Sequence, residues 1–145
     1  VIEDARKNAA VDKAWGTIDA VRVSFAQAQV DSSAVGIPYT VNFPKGDNKG
    51  DSGDYGTNAD GSGYGQGYIN DRPVQASGEM PQGGFVTIRD DGSIVAHQLQ
   101  FGNYYCSTMT EGQKTELNSN AMFCSRNIED VTVTGASNDQ HKPNN

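Results

Sequence analysis

Positive charge is scarce in this chain: 11 lysines and arginines stand against 18 aspartates and glutamates in 145 residues, for a net charge of −7. Contact with nucleic acid rests on cationic groups facing phosphates, and no Lys/Arg cluster here is dense enough to supply them. DNA, RNA and anionic membrane surfaces are therefore poor partners for the domain. Long apolar runs are missing too. None approaches the roughly 18 to 20 residues of a membrane span, and no basic-then-apolar leader opens the chain, so a soluble fragment or mature form is expected. Histidine is limited to His97 and His141. Neither has a second polar partner in sequence, and GxSxG, HExxH and GxxxxGK[ST] are all absent, which argues against an enzyme. Apolar residues make up only 35% of the chain and the mean hydropathy is −0.62. A single compact core must therefore coexist with much polar, turn-rich sequence.

What is present begins with a helix. The first thirty residues hold one glycine and no proline, and Val11, Ala14, Trp15, Ile18, Val21, Phe25 and Ala28 recur at steps of three and four. That spacing predicts a helix over 1–31 with one apolar stripe. Glu3, Arg6, Lys7, Asp12, Lys13, Asp19 and Arg22 fill much of the remaining surface, and Asp31, Gly36 and Pro38 mark the end. No Ser, Thr, Asp or Asn cap precedes Val1, so the helix reads as cut rather than started, with Asp4 as an alternative cap.

Residues 36–84 change character and are dense in Gly, Asp, Asn and Tyr. Only residues 39–43 and 67–69 resemble extended pieces within this long loop. Unstructured connections of this length are usually functional, so the region is expected to be a contact surface or a ligand-pinned loop. The clearest strand signal follows over 85–106. Two alternating β-branched runs, 85–89 and 94–100, flank Asp90-Asp91-Gly92-Ser93, and Asp-Gly tolerates the positive φ a hairpin needs. A further strand after a bend at Gly102, a last strand over 128–134, a short helical turn over 115–122 and a frayed tail over 137–145 complete the reading. The predicted class is α+β: one long N-terminal helix across a three- to four-stranded antiparallel sheet, in a single domain over 1–145.

Cys106 and Cys124 are the two cysteines. A bridge between them closes a loop of about 19 residues, worth on the order of 3 kcal/mol by loop entropy. An even count in such a chain favours an oxidising compartment, the alternative being two free thiols. The absence of CxxC spacing argues against a metal at either one.

This order of parts resembles the type IV pilin family. The stretch Glu3-Asp4-Ala5-Arg6-Lys7-Asn8-Ala9, continuing through Val11, Ile18, Asp19, Val21 and Arg22, looks like the D-A-(K/R)-K-N-A segment of pilins from Gram-positive bacteria. The family's cleavage signature, with its following Phe and Glu, does not occur here. The resemblance implies a non-enzymatic fibre subunit of a cell-surface, extracellular pilus, anchored in the membrane before assembly through an apolar half-helix that would continue α-helical sequence ahead of Val1. It implies polymerisation with other pilin subunits, and adhesion or motility as the outcome. Arg6, Lys7, Asp12 and Lys13 then form an assembly face. Tyr55, Tyr64 and Tyr68 mark a displayed loop, and the disulfide-closed region 106–124 is exposed on the fibre.

A binding module is the alternative, secreted or within a pseudopilus. Asp47, Asp51, Asp54 and Asp60 are hard oxygen ligands of the kind Ca²⁺ takes, although no DxDxDG run with a Glu at the twelfth position accompanies them. The tyrosine and glycine run 61–68 offers a platform for a glycan or a protein surface of a host. No cofactor is otherwise expected. Asp90 and Asp91 read as turn residues rather than an acid/base pair, and His97 as a strand-surface or cross-strand partner.

Overall fold

In the computed structural model, which describes residues 2–31, 36–43, 67–69, 72–76 and 78–136, the N-terminal run is one α-helix, α1 (Ile2–Asp31). Its buried side is Ala10, Ala14, Thr17, Ile18, Ala20, Val21, Phe25 and Ala28. Val11 and Trp15, expected within the stripe, are half-buried and flank it.

Among the described residues eight short strands follow: β1 (Tyr39–Asn42), β2 (Tyr68–Ile69), β3 (Arg72–Pro73), β4 (Phe85–Ile88), β5 (Ile94–His97), β6 (Leu99–Phe101), β7 (Tyr104–Ser107) and β8 (Phe123–Ser125). They form two three-stranded antiparallel ladders, β1-β4-β5 and β6-β7-β8, and a two-stranded piece, β2-β3. The class is α+β as expected, with the sheet divided into these ladders instead of one sheet of three or four strands. Gln98 separates β5 from β6, and its φ of 56° explains the division. Ahead of Gln98 the side chains packed in the helix-side core are Ile94 and Ala96, and beyond it they are Leu99 and Phe101. One residue is absorbed at the bend, so the inward-facing set changes parity, as at a β-bulge. Gly84 makes this possible from the neighbouring chain. A Cβ on Gly84, whose φ is +89°, would lie 2.4 Å from the Gln98 carbonyl oxygen.

The hairpin between β4 and β5 closes where Asp-Gly predicts. Arg89 N donates to Ser93 O at 2.8 Å and Gly92 takes φ 85°. Asp91 caps the turn, accepting from Ser93 Oγ at 2.6 Å and Ser93 N at 2.9 Å. These bonds, the hydroxyl first, hold its carboxyl below the usual carboxylate range.

Two expectations near the C-terminus are corrected. The strand expected over 128–134 is a 3-10 turn, Ile128–Val131, followed by extended chain outside any ladder. Asn127 Oδ1 accepts from Glu129 N at 3.1 Å and Thr132 Oγ1 donates to Ile128 O at 2.7 Å, so local side-chain bonds replace a ladder. The strand in this region is β8. Residues 115–122 form no helical turn, because Asn118 Oδ1 takes the N–H groups of Asn120 and Ala121.

Two apolar clusters result. The larger lies between α1 and the ladders and includes Ile18, Val21, Phe25, Val41, Val86, Ala96, Leu99, Phe101 and the Cys106–Cys124 pair. The smaller gathers Val95, Met109, Leu117, Val131 and Val133 under the irregular chain of 108–136.

Candidate assembly surface

The outer side of α1 is a continuous exposed face. Ile2, Ala5, Ala9, Asp12, Gly16, Asp19, Val23, Ala26 and Val30 recur at three- and four-residue steps, and all are exposed. Ile2 (68%), Val23 (56%) and Val30 (86%) are large apolar side chains left in solvent. A Cβ at Gly16 would meet nothing within 4 Å, so the backbone itself is open to a close neighbour. The face is a low-relief stripe of small and apolar residues with two carboxylates, of the kind helices use to pack against one another.

The inner side is fixed along its whole length by different means. At its start Glu3 holds Tyr104 and Arg126: the Tyr104 hydroxyl donates to its carboxylate, and Arg126 Nη1 lies 3.4 Å from Oε1. Lys7 Nζ sits 4.9 Å above the Phe123 ring. Ala10 and Ala14 then bring the helix down over the disulfide, with Cys106 Sγ 3.7 Å from Ala10 O. Farther along the contacts are apolar, and Phe25 meets the Tyr39 ring at 5.7 Å between centroids. On one flank Lys13 Nζ reaches Glu79 at 2.8 Å, and Gln75 N donates to Ser24 Oγ at 3.4 Å.

The four residues assigned to an assembly face divide under this geometry. Lys7 and Lys13 are engaged with Phe123 and Glu79 of their own chain, whereas Arg6 and Asp12 are exposed and make no ion pair among the described residues. Cys106 and Cys124 are bonded, directly opposite each other in β7 and β8, and fully buried. Of the display-loop residues Tyr68 is half-buried in β2, while Tyr55 and Tyr64 lie outside the described residues. The proposed Ca²⁺ ligands Asp47, Asp51, Asp54 and Asp60 also lie outside them, as do His141 and the tail 137–145. Among the described residues no three of His, Cys, Asp and Glu gather in one place, and no helix is long and apolar enough to cross a membrane.

Sequence reasoning missed the Glu3, Tyr104 and Arg126 contact, because its members are about a hundred residues apart and carry no spacing. It read His97 as a strand-surface or cross-strand partner, and the second holds, since His97 stands opposite Phe85; its burial and its bond to Val133 N were not foreseen. His97 is 4% exposed, its ring lies tilted against Phe85 at 5.4 Å between centroids, and its Nε2 accepts from Val133 N at 3.0 Å. A signal was available, since Phe85 and His97 are paired by the hairpin register and Val95, two residues earlier, points the same way. No family model matches the chain, and neither a characterised protein nor a solved structure does.

Proposed function

We infer that the chain is the head domain of a type IV pilus subunit, a structural protein that polymerises into an extracellular fibre and acts in adhesion or motility. The observation that carries this reading is α1: thirty residues long, with one side sealed on the ladders and the opposite side presenting Ile2, Val23 and Val30 to solvent. In a fibre that outer face packs against helices of neighbouring subunits. The Cys106–Cys124 bond supports an oxidising, extracellular setting, and the helix-then-antiparallel-sheet order fits the resemblance of residues 3–22. Of the four assembly-face residues, Arg6 and Asp12 are exposed without an ion pair among the described residues and are available to set register between subunits. Exposed pairs of this kind contribute about 0 to 1 kcal/mol each, so they act on alignment more than on strength.

The test is to shear surface fibres from cells that express the native gene and probe them with an antibody against this domain. The antigen is expected in the fibre fraction and absent after gene deletion. Recovery only from the soluble secreted fraction would overturn the reading.

A further inference from the structure

From the last residue of the 3-10 turn onward the chain crosses the smaller cluster as a strap, and three successive residues, Val131 to Val133, are each held by a different side chain. Ser107 Oγ donates to Val131 O at 2.7 Å while accepting from Gln98 N at 2.9 Å. Gln98 Nε2 donates to Thr132 Oγ1 at 2.8 Å. Val133 N donates to His97 Nε2 at 3.0 Å, and beyond it Thr134 N donates to Lys114 O at 2.8 Å. All three holding side chains come from the bend at Gln98 and the strand beside it. Val131 and Val133, 0% and 3% exposed, cover Val95, Met109 and Leu117.

The strap thus lacks ladder pairing, and one of its anchors requires an imidazole nitrogen with a free lone pair. A proton on Nε2 would set N–H against N–H and leave a cation buried beside the Phe85 ring, so both the acceptor and the apolar surroundings oppose it. Burial alone lowers the His97 pKa from 6.5 to about 4, with no contribution from a neighbouring charge. The charged groups of the adjoining elements are turned to other partners. Arg89, after β4, donates to Leu117 O at 2.7 Å, and Asp130, at the strap's start, accepts from Ser125 Oγ at 2.7 Å. Glu129 is exposed, as is Lys114.

We propose that residues 131–136 are an acid-released strap: protonation of His97 detaches Val133 and uncovers the apolar patch of Val95, Met109 and Leu117, while α1 and the ladders stay folded. The device is independent of the fibre reading. An uncovered patch of this kind is a surface that this domain presents only in acid.

The test is amide NMR of the whole 145-residue domain from pH 7 downward, with the His97 ring carbons followed in the same samples. Amides 131–134 are expected to move together with the ring in one transition well below pH 6.5, with amides of α1 and β4 unchanged. The open fraction should grow about tenfold per pH unit on the approach to that transition. His97→Gln keeps an acceptor, Oε1, that does not titrate, and its strap amides should hold still over the same range. Strap amides that stay fixed while the ring titrates, that move equally in His97→Gln, or that are lost together with every other amide would each overturn the proposal. Should His97→Gln not fold, coincidence of the Val133 and His97 transitions in the natural sequence decides it.

Discussion

The two sides of the ladders are covered in different ways. On one side a thirty-residue helix lays a continuous apolar stripe across β5 to β8, and few polar groups intervene. On the other side an irregular strap lays Val131 and Val133 over Val95, Met109 and Leu117 and is held by side-chain hydrogen bonds from His97, Gln98 and Ser107. The helix satisfies its own backbone and can be held by burial alone, while an extended strap must find a partner for each backbone group that it buries. The apolar stripe under the helix therefore holds no titrating group, whereas the strap depends on the protonation state of one ring.

The largest expected effect tests the first cover. Ile18 is 1% exposed in the middle of the stripe. Ile18→Ala should cost about 2 to 5 kcal/mol in a denaturant titration, the range for emptying a packed core site. Met109→Ala, equally buried in the smaller cluster, should cost less, because irregular chain can settle into the space. Equal costs would erase the distinction between the two covers.

Removing the Cys106–Cys124 bond comes next. The bond joins opposed residues of β7 and β8 under Ala10, so it braces the floor on which α1 rests. A double Cys→Ser variant should lose on the order of 3 kcal/mol, read as a lower denaturation midpoint. An unchanged midpoint would mean that the helix alone fixes these strands.

The difference between the covers also explains what could be read in advance. Three- and four-residue steps from Val11 to Ala28 disclosed the helix and its inner side, and Asp91-Gly92 disclosed the hairpin, because each is a local pattern with a local cause. The bend at Gln98 was hidden, since glutamine has no preference for positive φ; its cause lies across the sheet, in the missing Cβ of Gly84. Val131 and Val133 suggested a strand by alternation, and alternation correctly marks both as buried. It could not reveal that Asn127 and Thr132 would turn the backbone away from a ladder. On the candidate surface, the outer stripe is the complement of the inner one and was implicit in the same periodicity. The contacts of Glu3, Lys7 and Lys13 depend on partners from distant segments and were not.

The second cover is tested by pH. His97 titrates lower in the folded state, about 4, than its ordinary 6.5. The unfolded chain therefore takes up the proton first, so this contribution is complete above pH 6.5 and drains away as the pH falls toward 4. The slope should approach about 1.4 kcal/mol per pH unit within that window. Denaturation between pH 7.5 and 5 should show the slope in the natural sequence and a flatter profile in His97→Gln. Asp91 adds its own loss only at lower pH, because its carboxyl is held below the usual range. Parallel profiles for the two proteins would show that the ring is not held neutral.

The smallest effect concerns a polar contact that is not buried. Lys13 and Glu79 lie 2.8 Å apart with side chains 42% and 45% exposed, tying Glu79 to the flank of α1. Water screens this pair as it cannot screen the strap's bonds, and ordering two long side chains offsets much of the attraction. Lys13→Ala should therefore cost less than about 1 kcal/mol, and the difference from the natural sequence should shrink further in 1 M salt, where screening acts within about 3 Å. Gln98→Ala removes an uncharged bond of similar length to Thr132, and its cost should be unmoved by salt. If both variants respond to salt alike, the strap is held by a field of surface charge and not by the directed bonds of the bend.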